Sequence, residues 1–315
     1  MNHTKKATIA VLIGNIIFGF SFLFSSIAFS LAEASFAGSN VYKGADIPAM
    51  LAIRFSGAFL FMTCLLPFLK EKVCFRKKSI WKLVLLGFFQ PVLYFIGESF
   101  GIKMTDIIVS AVVIATLPVF AQIFSAVFLK EKPTKAQVLF CILSVLGVCM
   151  ITFFSGGENK KTYIIGVICL FIAVFGAVGF NIIGRSSSKE FSPFERTYFM
   201  FLIGTIFFWI YALIAAKGNA FLILSPIKEP KFLMSILYLS GFSSVGAYLL
   251  INYAHTYLPI TRTAAFANLI PVISTITGFI INKKFDFLIA GCCVLIIICV
   301  WGVQIFSTQT KKETF

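Results

Sequence analysis

Charge is scarce in this sequence. Of its 315 residues, 12% are Asp, Glu, Lys or Arg, 12 of them acidic, and there are two histidines. Soluble domains carry about 25% charge beside about 45–50% apolar residues. A chain that is 59% apolar cannot be a soluble enzyme, a disordered tail or a collagen-like fibre. Catalytic constellations are missing as well. There is no His, Cys and acidic cluster with ligand spacing, no phosphate- or dinucleotide-binding glycine loop, and no serine with a base on a matching face. We therefore expect no enzymatic activity, no metal and no cofactor. The lack of a nucleotide domain excludes an ATP-driven pump, and no carbonyl-filter repeat or charged ring points to a channel.

What is abundant is long apolar runs. A helix that crosses a bilayer core about 30 Å thick needs about 20 mostly apolar residues. Ten runs qualify: 8–31, 47–69, 80–101, 107–129, 136–154, 163–184, 194–216, 232–254, 263–281 and 287–307. The first follows Lys5 and Lys6 and ends near Ala32-Glu33-Ala34, as a secretory signal would. Its apolar stretch exceeds the about 7–15 residues of a signal core, so we read it as a retained helix. Of the eight cysteines, seven fall in the runs and Cys74 in the 70–79 connection, so no disulfide is expected. Cys292 and Cys293 point about 100° apart on one helix, which suits packing better than a metal site.

The net charge of +15 looks like a nucleic-acid signal until its carriers are located. They sit in short clusters between the runs. With both termini inside, cytoplasmic segments hold 17 lysines and arginines and outer segments 9, with Arg54 inside a run. This bias predicts a multi-pass protein of the cytoplasmic membrane with both termini in the cytoplasm. Its partners would be the lipid bilayer and a small-molecule substrate, with no nucleic acid. A monomer and a homodimer both stay open.

Self-comparison reveals a repeat. A shift of 153 lays Leu117-Pro118-Val119-Phe120 over Ile270-Pro271-Val272-Ile273, a shift of 145 pairs Pro48 with Pro193, and a shift of 157 pairs Phe18-Gly19 with Phe175-Gly176. The matches keep chain order, which predicts an all-α integral membrane fold of ten helices in two five-helix repeats, 1–154 and 155–315. Five is odd, so the second repeat enters the membrane upside down, as in many secondary transporters.

The ten-helix 5+5 pattern resembles the EamA-type transporters of the drug/metabolite transporter superfamily. So do Phe18-Gly19, the spacing from Pro48 to Arg54, and the segment Phe128-Leu129-Lys130-Glu131-Lys132-Pro133 that ends helix 4. The second repeat departs from this ending, with Asn282-Lys283-Lys284-Phe285 and no glutamate or proline. The resemblance implies a carrier for small organic solutes, often amino acids or related metabolites, and often an exporter working by alternating access. An uptake or facilitative carrier, or a non-transporting receptor or assembly protein on the same fold, are the alternatives.

Ionisable groups inside a span cost about 2.5–3.5 kcal/mol on insertion scales and normally face protein or water. Arg54 lies about 10 Å and Glu98 about 5 Å from the outer ends of helices 2 and 3, at 1.5 Å per residue. They read either as a structural ion pair, or as an outer gate, a carboxylate anchor (Arg54) or a proton-coupling site (Glu98). His255, near the inner end of helix 8, titrates near neutral pH when unperturbed, but its place suits a helix-end cap better. Asn15, Gln90, Asn181, Asn252 and Asn268 are candidates to line a cavity, and Tyr94 and Tyr248 to form its opposite walls. Gln304 reads as packing, and Trp81 and Trp301 as interface anchors. Pro118 and Pro271 hold the same place in helices 4 and 9, and symmetric proline kinks are candidate hinges.

Overall fold

The computed structural model describes residues 3–36, 44–69, 79–105, 107–154, 163–282 and 286–306. These residues form ten helices long and apolar enough to cross a membrane, and among them there is no strand. In chain order they are α1 (His3–Phe36), α2 (Asp46–Phe68), α3 (Ile80–Ile102), α4 (Val109–Phe128), α5 (Lys135–Phe154), α6 (Ile164–Lys189), α7 (Pro193–Ala215), α8 (Pro230–Tyr257), α9 (Ile260–Ile280) and α10 (Phe287–Ile305). Crossing ten times puts both termini on one face, the terminal face. The basic 70–78 connection, Cys74 and the 283–285 turn lie outside the described residues.

The outer surface is apolar: Leu60, Phe153, Ile164, Phe221 and Phe287 are all exposed. Polar side chains are instead buried, among them Arg54, Gln90, Arg196, Asn252 and His255. A soluble protein sorts the other way. In lipid this arrangement is the stable one, because buried polar groups there find partners inside the protein.

Helix packing follows the repeat. α1 packs mainly on α8 and α9, as α6 packs on α3 and α4, while α2 pairs with α7 and α5 with α10. Exchanging the two repeats maps each pairing onto another or onto itself. Local sequence fixes several helix starts. Ser192 and Glu195 form a reciprocal capping box ahead of α7, with Pro193 as its first residue, and Asp286 caps α10 through the Leu288 and Ile289 amides.

Two helices are interrupted at matching places. α3 is kinked at Gln90, within Phe88–Leu93, and α8 opens into widened, π-type turns over Tyr238–Gly246. In α3 the cause is legible, because Pro91 has no N–H to continue the ladder and excludes the helical conformation for the residue before it. Gln90 accordingly sits at φ −147°, ψ 119°, and the Gln90–Pro91 bond is cis. α8 has no proline there; Ser240, Gly241, Ser243, Ser244 and Gly246 are weak helix formers. A glycine of a neighbouring helix approaches each interruption. A Cβ on Gly176 of α6 would lie 3.0 Å from the Phe89 carbonyl, and one on Gly14 of α1 would lie 3.3 Å from the Ala247 carbonyl.

Both candidate hinges, Pro118 and Pro271, lie just after an irregular turn, where a proline disrupts a helix through its missing N–H and its clash with the carbonyl four residues back. α4 breaks at Thr116 and restarts at Leu117, and α9 passes through a tight 3₁₀ turn over Phe266–Asn268 and restarts at Leu269. Each proline then occupies the first turn of the new segment, where no backbone donor is needed. The breaks precede the prolines.

Candidate functional site

A side chain of the α3 interruption reaches α8 just past that helix's own interruption, at Tyr248. Gln90 Nε2 donates to the Tyr248 hydroxyl. Arg54 of α2 reaches the same segment of α8: Nε donates to Ser244 Oγ and Nη2 to Ser243 Oγ, each at 3.2 Å, while Ser240 Oγ donates to the Arg54 carbonyl at 2.8 Å. The guanidinium also lies 5.0 Å from the Phe95 ring centroid and 5.6 Å from that of Phe55. Tyr94 donates to Glu98 at 2.7 Å, one turn further along α3. Five of the sequence-derived candidates (Arg54, Gln90, Tyr94, Glu98 and Tyr248) thus gather around one interrupted pair of helices. Phe18, Phe180 and Phe201 pack against the Tyr248 ring.

Arg54 and Glu98 do not form an ion pair. Glu98 is close enough to act electrostatically on Arg54, yet each group is bonded to other partners. Similar depth in two helices brought the opposite charges into one region; the side chains then took neutral hydroxyls instead.

A second cluster lies toward the terminal face. His255 is fully buried and its Nε2 lies 2.9 Å from Asn181 Oδ1, so it is no helix-end cap. Three helix ends cover it: α6, the start of α7, and its own. Asn181 Nδ2 donates to the Ala177 carbonyl, which leaves its Oδ1 to accept from His255. Arg196, in the first turn of α7, is also fully buried. Its Nη1 donates to the Gly184 carbonyl at 2.6 Å, and Nη2 to the Asn252 carbonyl and Thr256 Oγ1, each at 2.7 Å. Asn252 Nδ2 donates to Thr197 Oγ1 at 3.0 Å. Phe180 bridges the clusters, with its ring 5.7 Å from Tyr248 and 5.4 Å from His255.

At the terminal face a clamp ties the repeats together. Arg185, ending α6, donates through Nε to Glu131 Oε1 at 3.0 Å and through Nη1 to the carbonyls of His255 and Thr256. The second Glu131 oxygen accepts from the Ile260 amide that begins α9, at 2.9 Å. One carboxylate after α4 thereby holds the ends of α6 and α9, and through Arg185 that of α8.

Two candidates bond to neither cluster. Asn15 is buried and donates to the Val11 carbonyl of its own helix, and Asn268 donates to Ser144 of α5 at 2.7 Å. Gln304 bonds Arg262 in both directions. Among the described residues no three His, Cys, Asp or Glu side chains gather as metal ligands. Sequence reasoning missed Ser243, Ser244, Arg185 and Arg196. The repeat carried no signal for the last: under the shift that pairs Pro48 with Pro193, Arg54 falls on Phe199 and Arg196 on Leu51.

The model of the EamA-like transporter family matches residues 5–153 and again 164–305. Among curated relatives, the uncharacterized transporter YcxC of Bacillus subtilis (strain 168) is 30% identical over 315 residues, covering 99% of this chain and 97% of that protein. The uncharacterized transporter YetK of the same organism is 26% identical, covering 90% and 87%. A crystal structure at 15% identity superposes with a TM-score of 0.65 over 94% of this chain and 98% of that one.

Proposed function

The chain belongs to the EamA-like transporter family, and from that premise we propose that it is a secondary transporter that exports a small organic solute, an amino acid or related metabolite, by alternating access. The observation that carries this reading is the matched interruption of α3 and α8, joined by Gln90 and Tyr248. Interrupted helices at the interface of two repeats supply polar groups at mid-membrane depth, where a carrier holds its solute. In this reading Arg54, Gln90, Tyr94, Glu98 and Tyr248 form the solute site. Asn181, Asn252 and His255 line its exit toward the terminal face, and the breaks before Pro118 and Pro271 act as hinges. The repeats are 1–154 and 155–315. The lysine and arginine bias supports a terminal face in the cytoplasm and a protein of the cytoplasmic membrane.

Proteoliposomes loaded with candidate solutes test the proposal. Saturable counterflow of at least one solute, lost in Gln90→Leu with Tyr248→Phe, is the expected result. Inertness across a broad panel of amino acids and metabolites would favour a non-transporting membrane protein on this fold.

A further inference from the structure

We propose that Arg54 is the docking point for the carboxylate of a small monocarboxylate solute with an apolar or aromatic body. The proposal rests on the transport reading above and adds the chemistry the site selects.

Arg54 is 4% exposed, and a buried cation is normally paired or neutralised. Here its bonded partners are two uncharged hydroxyls, Ser243 Oγ and Ser244 Oγ. They engage Nε and Nη2, and the Nη1 donors have no acceptor among the described residues. The nearby carboxylate, Glu98, accepts from Tyr94 instead. The guanidinium therefore keeps both its charge and donor capacity for an incoming anion, and a planar fork suits a planar carboxylate.

The surroundings narrow the class further. The guanidinium carries one positive charge, which a single carboxylate neutralises, whereas a phosphate monoester, nearer two negative charges, would leave an uncompensated charge in a buried site. The neighbours are aromatic: Phe55 and Phe95 lie against the guanidinium, and Phe18, Phe180 and Phe201 pack on the Tyr248 ring. Such neighbours favour a solute whose remainder is apolar or ringed. Arg54 belongs to the first repeat and its serine partners to the second, so an anion bound here touches both.

The test uses the purified full chain and a matched panel: 3-phenylpropionate, L-phenylalanine, phenethylamine and phenyl phosphate. Binding is read by calorimetry and by ligand-induced thermal shift, and flux separately in proteoliposomes. We expect at least one of the two carboxylates to bind, and phenethylamine and phenyl phosphate to bind at least 10-fold more weakly. Arg54→Gln should weaken carboxylate binding at least 30-fold, and Arg54→Lys, which keeps charge without the fork, by an intermediate factor. Should Arg54→Gln fail to fold, the Ser243→Ala, Ser244→Ala double variant replaces it, with a weakening of at least 5-fold expected. Equal binding of amine and carboxylate, binding indifferent to these substitutions, or no binding of either carboxylate overturns the proposal. Arg54-dependent binding without flux of any solute would sink the transport reading and leave this inference standing. Flux of neutral solutes that survives Arg54→Gln would do the reverse.

Discussion

Arg54 and Glu98 carry opposite charges in one cluster without bonding to each other; Ser243 and Ser244 hold the guanidinium, and Tyr94 holds the carboxylate at 2.7 Å. A contacting pair couples by about 0.5–3 kcal/mol, and independent sites add within about 0.3–0.5 kcal/mol. Thermal unfolding of Arg54→Gln, Glu98→Gln and the double variant should therefore give a coupling near the lower figure. The pair is direct after all if the coupling exceeds about 1 kcal/mol, above the scatter of independent sites and inside the contacting range.

The Glu131 clamp should hold the terminal face shut. Glu131→Gln removes the charge that Arg185 meets at 3.0 Å. In a background lacking the native cysteines, a thiol at the fully buried Ser187 should then react several-fold faster with a membrane-impermeant maleimide. An unchanged labelling rate would show that the clamp does not control access.

Close crossing of α3 and α6 depends on Gly97. A Cβ there would meet the Cys169 carbonyl at 2.6 Å and the Ala173 amide at 2.7 Å, and backbone cannot turn aside as a side chain can. Gly97→Val should cost about 1–3 kcal/mol or more, seen as a lower melting temperature and poorer yield. Gly278→Ala, with nothing within 4 Å, is the matched control and should melt near wild type. Equal melting of the two would refute the packing account.

Tyr248→Phe removes one hydroxyl and leaves the buried Gln90 amide without its acceptor. The expected loss is about 1–3 kcal/mol, followed as chemical denaturation in detergent. Replacing both partners by apolar residues, Gln90→Leu with Tyr248→Phe, should recover part of that loss. A single variant as stable as wild type would argue that the bond contributes nothing.

Cationic dyes should be poor solutes. Helix α1 has no acidic residue before Glu33 near its far end, and the deepest ionisable group of the central cluster is a cation, Arg54. Robust ethidium efflux driven by a pH gradient and surviving Glu98→Gln would contradict this.

Much of the architecture was legible in the sequence, because the bilayer imposes a long, apolar and nearly charge-free pattern on every span. That Arg54 stands inside a span was legible for the same reason. Partner choice was not. Ser243 and Ser244 are short polar residues that in a helix usually bond their own backbone, and what makes them receptors for Arg54 is the widened turn around them. Arg196 stands in the first turn of α7; its burial depends on the ends of α6 and α8 closing over it. The same covering turned His255 from an expected cap into the centre of a network.

The Glu131 clamp exists once. Under the shift that overlays the prolines of α4 and α9, the position matching Glu131 is Lys284, and under the shift that aligns α1 with α6 the position matching Arg185 is Ala28. Two interchangeable repeats would share their two arrangements equally, with an equilibrium constant near one. A bond present in one arrangement alone tilts that ratio about tenfold for every 1.4 kcal/mol it contributes. If the proposed alternating access holds, the resting protein is weighted toward a single orientation, and a solute arriving at the opposite side binds with its affinity reduced by the rarity of the form that admits it.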